Sequence, residues 1–270
     1  ISSSVTGLLI PPSNIMVVFS LASGGVSIAA LFIAGYLPGL LLGLALMVVA
    51  GLIAKRRNYP VGERVGLGQS LRVFADAVPS LFLLVVVMGG IIRGWFTPTE
   101  ASAIAVLYTF VLSVIIYREI KWSELPRLLT DSAATTAIVL ILVGTSMGMS
   151  WVMSSANIPQ TISETLLALT DNKYALLLII TLILLVVGTF MDMTPAVLIF
   201  TPIFLPVAIS IGMDPIHFGI MMIFNLCIGL CTPPVGTALF VGCGVGGTTI
   251  AKIWRPLMPF YAAMFLVLLA

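Results

Sequence analysis

Gly229-Leu230-Cys231-Thr232-Pro233-Pro234 repeats Gly7-Leu8-Leu9-Ile10-Pro11-Pro12 at a spacing of 222 positions, and the match extends without a gap. Gly24-Gly25 falls on Gly246-Gly247, Ile28-Ala29 on Ile250-Ala251, and Ser27 stands opposite Thr249. Eight identities lie within positions 7–29, a shared register that two unrelated proline kinks would not have. Neither copy carries a charge before Lys252, so both belong at membrane depth. A Gly-x-x-x-Pro-Pro run cannot continue a helix, because each proline lacks an amide donor and its ring clashes with the preceding turn. A bilayer tolerates broken helices only where the freed backbone is buried in protein or faces a watery cavity. Paired interruptions at matching places in two halves point to the binding site of a secondary transporter.

Composition sets the environment. Apolar residues make up 60% of the chain and charged residues 8%, against about 25% charged in soluble domains. The first 54 residues carry no charge, nor do 132–163, 174–191, 193–213 or 256–270. A spanning helix needs about 20 apolar residues, so the chain has room for roughly eight to ten spans and hairpin arms. The net charge of +2 is too small to suggest a nucleic-acid partner, and the composition points to the lipid bilayer as the surroundings. Cys227, Cys231 and Cys243 are odd in number and lie among apolar residues, so they read as small buried hydrophobes. The chain opens at Ile1 just before the first break and closes inside an apolar run, which suggests a fragment or one piece of a larger membrane subunit, expected to be inactive by itself.

From the first break outward, Pro12–Ser23 reads as the returning arm of a hairpin and Ser27–Ala54 as a span ending at Lys55-Arg56-Arg57. Positive loops favour the cytoplasm. Glu63–Ala77 mixes Arg64, Arg72 and Asp76 with apolar residues and predicts an amphipathic interfacial helix. Pro79–Ile92 and Thr99–Tyr117 are two spans joined at Gly94–Pro98; Ser132–Ser155 and Tyr174–Phe190 are two more. Ile158–Leu169 is expected on the outer surface, and Pro195–Ile211 leads to the second hairpin. The basic cluster ends the post-break span in the first copy and begins it in the second, at Lys252 and Arg255. With both clusters cytoplasmic, the spans run oppositely, as in an inverted repeat with its two-fold axis in the membrane plane.

Broken ends expose carbonyl oxygens on one half and amide hydrogens on the other. Carbonyls and hydroxyls suit a hard cation such as sodium, and helix N-termini suit a carboxylate. Ser2, Ser3, Ser4 and Thr6 precede the first break, and Ser13 and Asn14 follow it. Asn225 precedes the second, and Thr232 and Thr237 flank it. Ser3 and Asn225 share a register, each eight residues before the first proline. These side chains can cap freed backbone and hold an ion at once.

The stretches Gly188-Thr-Phe-Met-Asp-Met-Thr-Pro195, Asp214-Pro-Ile-His-Phe-Gly219 and Asn225-Leu-Cys-Ile-Gly-Leu-Cys-Thr-Pro-Pro-Val-Gly-Thr237 resemble the large membrane subunit of tripartite ATP-independent periplasmic (TRAP) transporters. So do Phe96-Thr-Pro-Thr-Glu-Ala-Ser102 and the Gly7–Ser13 segment. The resemblance covers essentially the whole chain. It implies an all-α integral membrane protein of the bacterial cytoplasmic (inner) membrane, an inverted-repeat, elevator-type transporter with two re-entrant helical hairpins. It implies sodium-driven uptake of an organic acid, sialic acid or a C4-dicarboxylate, with a small membrane subunit and a periplasmic substrate-binding protein as partners and no cofactor beyond the coupling ion. Residues 1–30 would belong to the transport domain, 31–130 to scaffold spans with some transport-domain helix, and 131–270 to the second repeat, with its hairpin at about 214–250. The candidate sodium- and substrate-binding set is Ser2, Ser3, Gly7, Pro11, Pro12 and Ser13 at one tip, and Asn225, Gly229, Thr232, Pro233, Pro234, Gly236 and Thr237 at the other, with Asp192.

Asp192 is a lone carboxylate in a long uncharged run, either an N-cap for the helix beginning near Pro195 or a direct participant in transport. Glu100 after Thr97-Pro98 favours a first helical turn, Arg93 snorkels at a span end, and His217 sits at a helix start as a structural residue. Two other classes compete. Gly144-Thr-Ser-Met-Gly148 matches the Gly-x-Ser-x-Gly pattern of a serine hydrolase, but that elbow needs a strand-to-helix turn. Small residues that let helices pack closely explain it better. An ion channel would line a pore with symmetric rings.

Overall fold

The computed structural model describes residues 1–59, 66–170 and 172–270. All regular structure among them is helical. Among the described residues seven helices are long and apolar enough to cross a membrane: Ile28–Arg57, Leu67–Ile92, Pro98–Ile116, Trp122–Ser155, Lys173–Phe190, Met193–Ser210 and Ile250–Leu269. Large apolar side chains such as Leu37, Val106 and Trp151 lie on their outer faces, as expected where the solvent is hydrocarbon. The described chain divides into two compact units, residues 1–56 with 141–270, and residues 57–140.

The larger unit holds both breaks. Its first copy comprises α1 (Ser3–Leu9), α2 (Asn14–Ala22) and α3 (Ile28–Arg57), and its second α10 (Pro215–Leu230), α11 (Thr237–Val245) and α12 (Ile250–Leu269). The post-break spans begin at Ile28 and Ile250, which are 222 apart, so the sequence register is also a structural one. Gly25 and Gly247 hold left-handed φ values of 108° and 58°, the conformation that makes glycine the residue repeated there. Both Pro-Pro peptide bonds are cis. The remaining helices of the unit are α7 (Ile158–Leu169), α8 (Lys173–Phe190) and α9 (Met193–Ser210), with the second half of α6 (Leu125–Ser155).

The centre of this unit is α10. Apart from His217 and Asn225 its side chains are apolar, and it is buried without interruption from Met222 to Leu230, as a helix apolar nearly all round must be. A Cβ on Gly229 would lie 2.5 Å from the carbonyl carbon of Gly188, so α8 and α10 touch backbone to backbone. Small residues permit such contact where hydrophobic exclusion cannot drive helix association. Across α10, the fully buried Phe19 of α2 lays its ring 2.5 Å from where a Cβ on Gly219 would stand. Reciprocally, Ile1 reaches within 2.2 Å of where a Cβ on Gly242 of α11 would be. The pre-break helix of the second copy thus meets the post-break helix of the first, and the residue leading into α1 meets the post-break helix of the second, the kind of exchange that two-fold-related repeats make.

In the smaller unit, α4 (Leu67–Ile92) and α5 (Pro98–Phe110) pack together, α5 continuing as a π-helical stretch over Val111–Ile116. The Tyr108 hydroxyl donates to the Pro79 carbonyl at 2.7 Å. Phe96 covers Gly90, Gly94 turns the chain at φ 70°, and Arg93 stacks over the Trp95 ring at 5.2 Å. Thr97 and Glu100 form a capping box, the Thr97 amide donating to Glu100 Oε2 at 2.7 Å and the Glu100 amide to Thr97 Oγ1 at 3.3 Å.

Two expectations need correcting. The first break does not reverse the chain as a hairpin would: α1 and α2 are bent by 54°, so Pro11-Pro12 deflects an interrupted helix. The amphipathic segment Glu63–Ala77 is not a separate element; its first residues lie outside those described, and from Leu67 it is the opening half of α4, which runs through Pro79. A proline inside a spanning helix is tolerated where neighbours re-satisfy the freed backbone; the carbonyl freed at this point is that of Ala75, while the Tyr108 hydroxyl binds the Pro79 carbonyl.

Candidate functional site

The end of α10 is set by its own sequence. The carbonyl of Leu230 would take a donor three or four residues on, but Pro233 and Pro234 stand there without N–H groups. The amides that remain turn back early: Cys231 donates to the Ile228 carbonyl at 3.1 Å and Thr232 to the Gly229 carbonyl at 2.8 Å. Thr232 Oγ1 donates to the Ile228 carbonyl at 2.7 Å. Gly236 is buried against this turn; a Cβ there would fall 2.5 Å from the Leu230 oxygen and 2.8 Å from the Thr232 oxygen. A side chain at 236 would therefore plug the place where two carbonyl oxygens converge.

The first break is built similarly, with one exchange. Ile10 donates its amide to the Thr6 carbonyl at 2.9 Å, and the buried Ser13 donates its hydroxyl to the Leu8 carbonyl at 2.6 Å. Leu8 corresponds to Leu230, and Val235, without a hydroxyl, stands where Ser13 would be. A hydroxyl that has spent its hydrogen on a carbonyl still presents oxygen lone pairs, so Ser13 and Thr232 remain able to act as oxygen ligands.

The fold brings the two copies together through α1 and the end of α10. Ser4 Oγ lies 3.6 Å from Cys231 Sγ and donates to the Ile1 carbonyl at 2.7 Å, and Cys231 Sγ is 3.6 Å from that same carbonyl. Cys227, Cys231 and Cys243 are all buried thiols. Ser2, at the start of α1, is buried, whereas Ser3 and Gly7 on the same helix are exposed, as are Pro12, Pro234 and Thr237; Pro11 is buried. Asn225 is fully buried on α10. Its amide nitrogen donates to the Thr181 carbonyl of α8 at 2.8 Å, and its oxygen has no hydrogen-bond partner. Thr6 Oγ1 is the other buried side-chain atom left unpaired among the described residues. An unsatisfied buried polar atom costs about 1–3 kcal/mol, and both of these oxygens lie on the helices that lead into the two breaks. Gly229, by contrast, is occupied by its contact with Gly188.

Asp192 stands at the N-cap position of α9 but makes no capping hydrogen bond, and it is exposed. Asp214 does cap, accepting from the amides of Ile216 at 2.8 Å and His217 at 3.3 Å, which gives His217 its structural place at the start of α10. Gly144 to Gly148 lies inside the continuous helix α6, so the strand-to-helix elbow of a serine hydrolase is not formed. Sequence reading missed Thr181, Gly35, Gly39 and Tyr261. The last two were findable: carrying the 222 register past Ala29 sets Gly39 of α3 opposite Tyr261 of α12.

Apolar spanning helices around two interrupted ones define a multi-pass membrane protein. The chain belongs to the family described as tripartite ATP-independent periplasmic transporter, DctM component, which it matches over residues 1–270. It is 60% identical over 268 residues to the uncharacterized protein YgiK of Salmonella typhimurium, covering 99% of this chain and 61% of that one. It is 39% identical to the C4-dicarboxylate TRAP transporter large permease protein DctM of Pseudomonas aeruginosa, and 37% identical to the sialic acid TRAP transporter large permease protein SiaM of Vibrio cholerae. Each of those two alignments covers 99% of this chain and 62% of the relative. The chain thus spans about three fifths of the length of the curated relatives it matches. Family and helices together make it a multi-pass protein of the bacterial inner membrane.

Proposed function

We propose that this chain is the ion- and substrate-handling part of a sodium-coupled importer of an organic acid. The observation that carries the reading is the pairing of two proline-broken helices within one compact unit, with the unpartnered oxygens of Thr6 and Asn225 beside them. Carbonyls, hydroxyls and a neutral amide oxygen offer a monovalent hard cation enough coordination to bind. They offer no fixed charge that would hold it too tightly for release. Sodium is assigned to the surroundings of Ser3, Gly7 and Ser13 at the first break and of Asn225, Thr232 and Thr237 at the second. The amide-rich starts of α2 and α11 suit the carboxylate of the substrate.

The relatives' names support an acidic substrate, a C4-dicarboxylate in one and sialic acid in another. The word tripartite in the family description supports two further components, which we take to be a small membrane subunit and a periplasmic protein that delivers the substrate. An isethionate permease of Oleidesulfovibrio alaskensis, 39% identical, carries the name DctMQ. Movement of the unit that holds the breaks would then carry bound substrate across, as in an elevator.

The test is uptake into proteoliposomes containing the complete transporter, with the loaded binding protein outside. Uptake should require both an inward sodium gradient and the binding protein. Ser3→Ala and Thr232→Val should raise the sodium concentration for half-maximal uptake while leaving expression intact. Uptake that ignores sodium, or proceeds without the binding protein, contradicts the proposal and favours a channel.

A further inference from the structure

The two breaks are supported differently by the spans that follow them. In the first copy α3 meets the break with bare backbone. A Cβ on Gly35 would lie 2.6 Å from the Leu9 carbonyl oxygen, and one on Gly39 would lie 2.6 Å from Cγ1 of Ile10. Neither residue can be enlarged without pushing the helices apart. In the second copy the matching positions on α12 hold Leu257 and Tyr261, and the residue matching Leu9 is Cys231. The Cys231 carbonyl is met by the Tyr261 hydroxyl, which donates a hydrogen bond to it. Tyr261 is itself held by Trp254, ring centroids 5.9 Å apart, and packs on the cluster formed by Leu239, Cys243 and Leu257. One carbonyl, in one register, is thus gripped by a backbone contact in the first repeat and by a single side-chain hydrogen bond in the second.

We propose that Tyr261 is the positioning residue of the second break, and that this break is the adjustable one of the pair. The inference rests on the sodium reading given above. The Cys231 carbonyl belongs to the peptide that leads into Thr232, and the Leu230 carbonyl lies one peptide upstream. Holding the first orients the second, which has no amide donor from Pro233 or Pro234 and lies over Gly236. The Tyr261 hydroxyl sets the direction of these oxygens without touching the ion. A single hydrogen bond can open and reclose, whereas the contacts at Gly35 and Gly39 can change only if α3 separates from the break. Binding at the second break is therefore coupled to the seating of α12, and binding at the first is not.

The experiment uses the full-length membrane subunit with its small partner, purified in detergent. Sodium chloride is titrated against choline chloride at constant ionic strength, and the melting midpoint is followed. Tyr261→Phe keeps the ring against Trp254 and removes the hydroxyl. It leaves the Cys231 carbonyl without this donor, so it is expected to lower the midpoint in choline and, separately, to raise the half-saturating sodium concentration roughly three- to tenfold, the range expected for one net hydrogen bond. Placing 3,5-difluorotyrosine at position 261 alone strengthens the donor at nearly constant volume and should lower that concentration; it also serves if Tyr261→Phe does not accumulate. A variant that responds to sodium as the unaltered protein does, whether or not its midpoint in choline falls, overturns the positioning role and leaves the sodium reading standing. Absence of a sodium response in the unaltered protein overturns both.

Discussion

Glycine at 229 and aspartate at 192 show how position changes what a residue type means. Gly229 brings α10 against Gly188, and Gly35 brings α3 against the Leu9 carbonyl. Either residue changed to alanine overpacks a backbone contact that has nowhere to relax, at about 1–3 kcal/mol. Thermal melts of the full-length protein should show both variants lowered, while Gly7→Ala, with open space around its Cβ position, melts near the parent. The two aspartates at helix starts make a second comparison. Asp214→Ala removes a cap that two amides use and should cost about 1 kcal/mol. Asp192→Ala breaks no capping bond and should stay within about 0.5 kcal/mol of the parent. Lowered uptake at unchanged stability would mark Asp192 as a transport residue; full uptake would return it to a plain helix start.

At the scale of elements, the prolines decide where helices stop. Pro38, Pro79, Pro202 and Pro206 lie inside helices that continue through them, whereas the pairs at 11–12 and 233–234 end one helix and delay the next. One proline removes one donor; two in succession remove both donors the last carbonyl could use. Pro233→Ala with Pro234→Ala restores those amides. The double variant should extend α10 toward α11, insert into the membrane normally, and lose sodium-dependent uptake. Retained uptake with an unchanged sodium response would show that the interruption is not where coupling occurs. Gly25 and Gly247 also act at this scale, since their left-handed φ lets each copy turn into its long span.

At the scale of the whole molecule, the contacts of α2 with α10 and of Ile1 with α11 tie the two copies into one unit. Residues 57–140 form the other. If the first unit travels as a body, tethering it to the second in the assembled transporter with bifunctional thiol reagents should stop uptake while the binding protein still docks. Transport at full rate in the tethered complex would exclude rigid-body movement and favour a fixed site.

The sequence alone determined the membrane setting, the positions of the spans and the two breaks, because each is a local property. Long uncharged apolar runs must be helical in hydrocarbon, consecutive prolines must interrupt them, and a gapless repeat carries its geometry from one copy to the other. The bounds read for Ile158–Leu169 are those of α7. What the sequence could not convey was how far the chain turns at a break, since the 54° bend of the first depends on what packs around it. Nor could local pattern show that Glu63–Ala77 feeds into α4, because one proline kinks or ends a helix according to the partners its freed carbonyl finds. Only the tertiary structure decided which oxygens are already satisfied. Asn225 and Thr6 keep theirs unpaired and Cys231 gives its carbonyl to Tyr261, through contacts between segments distant in sequence.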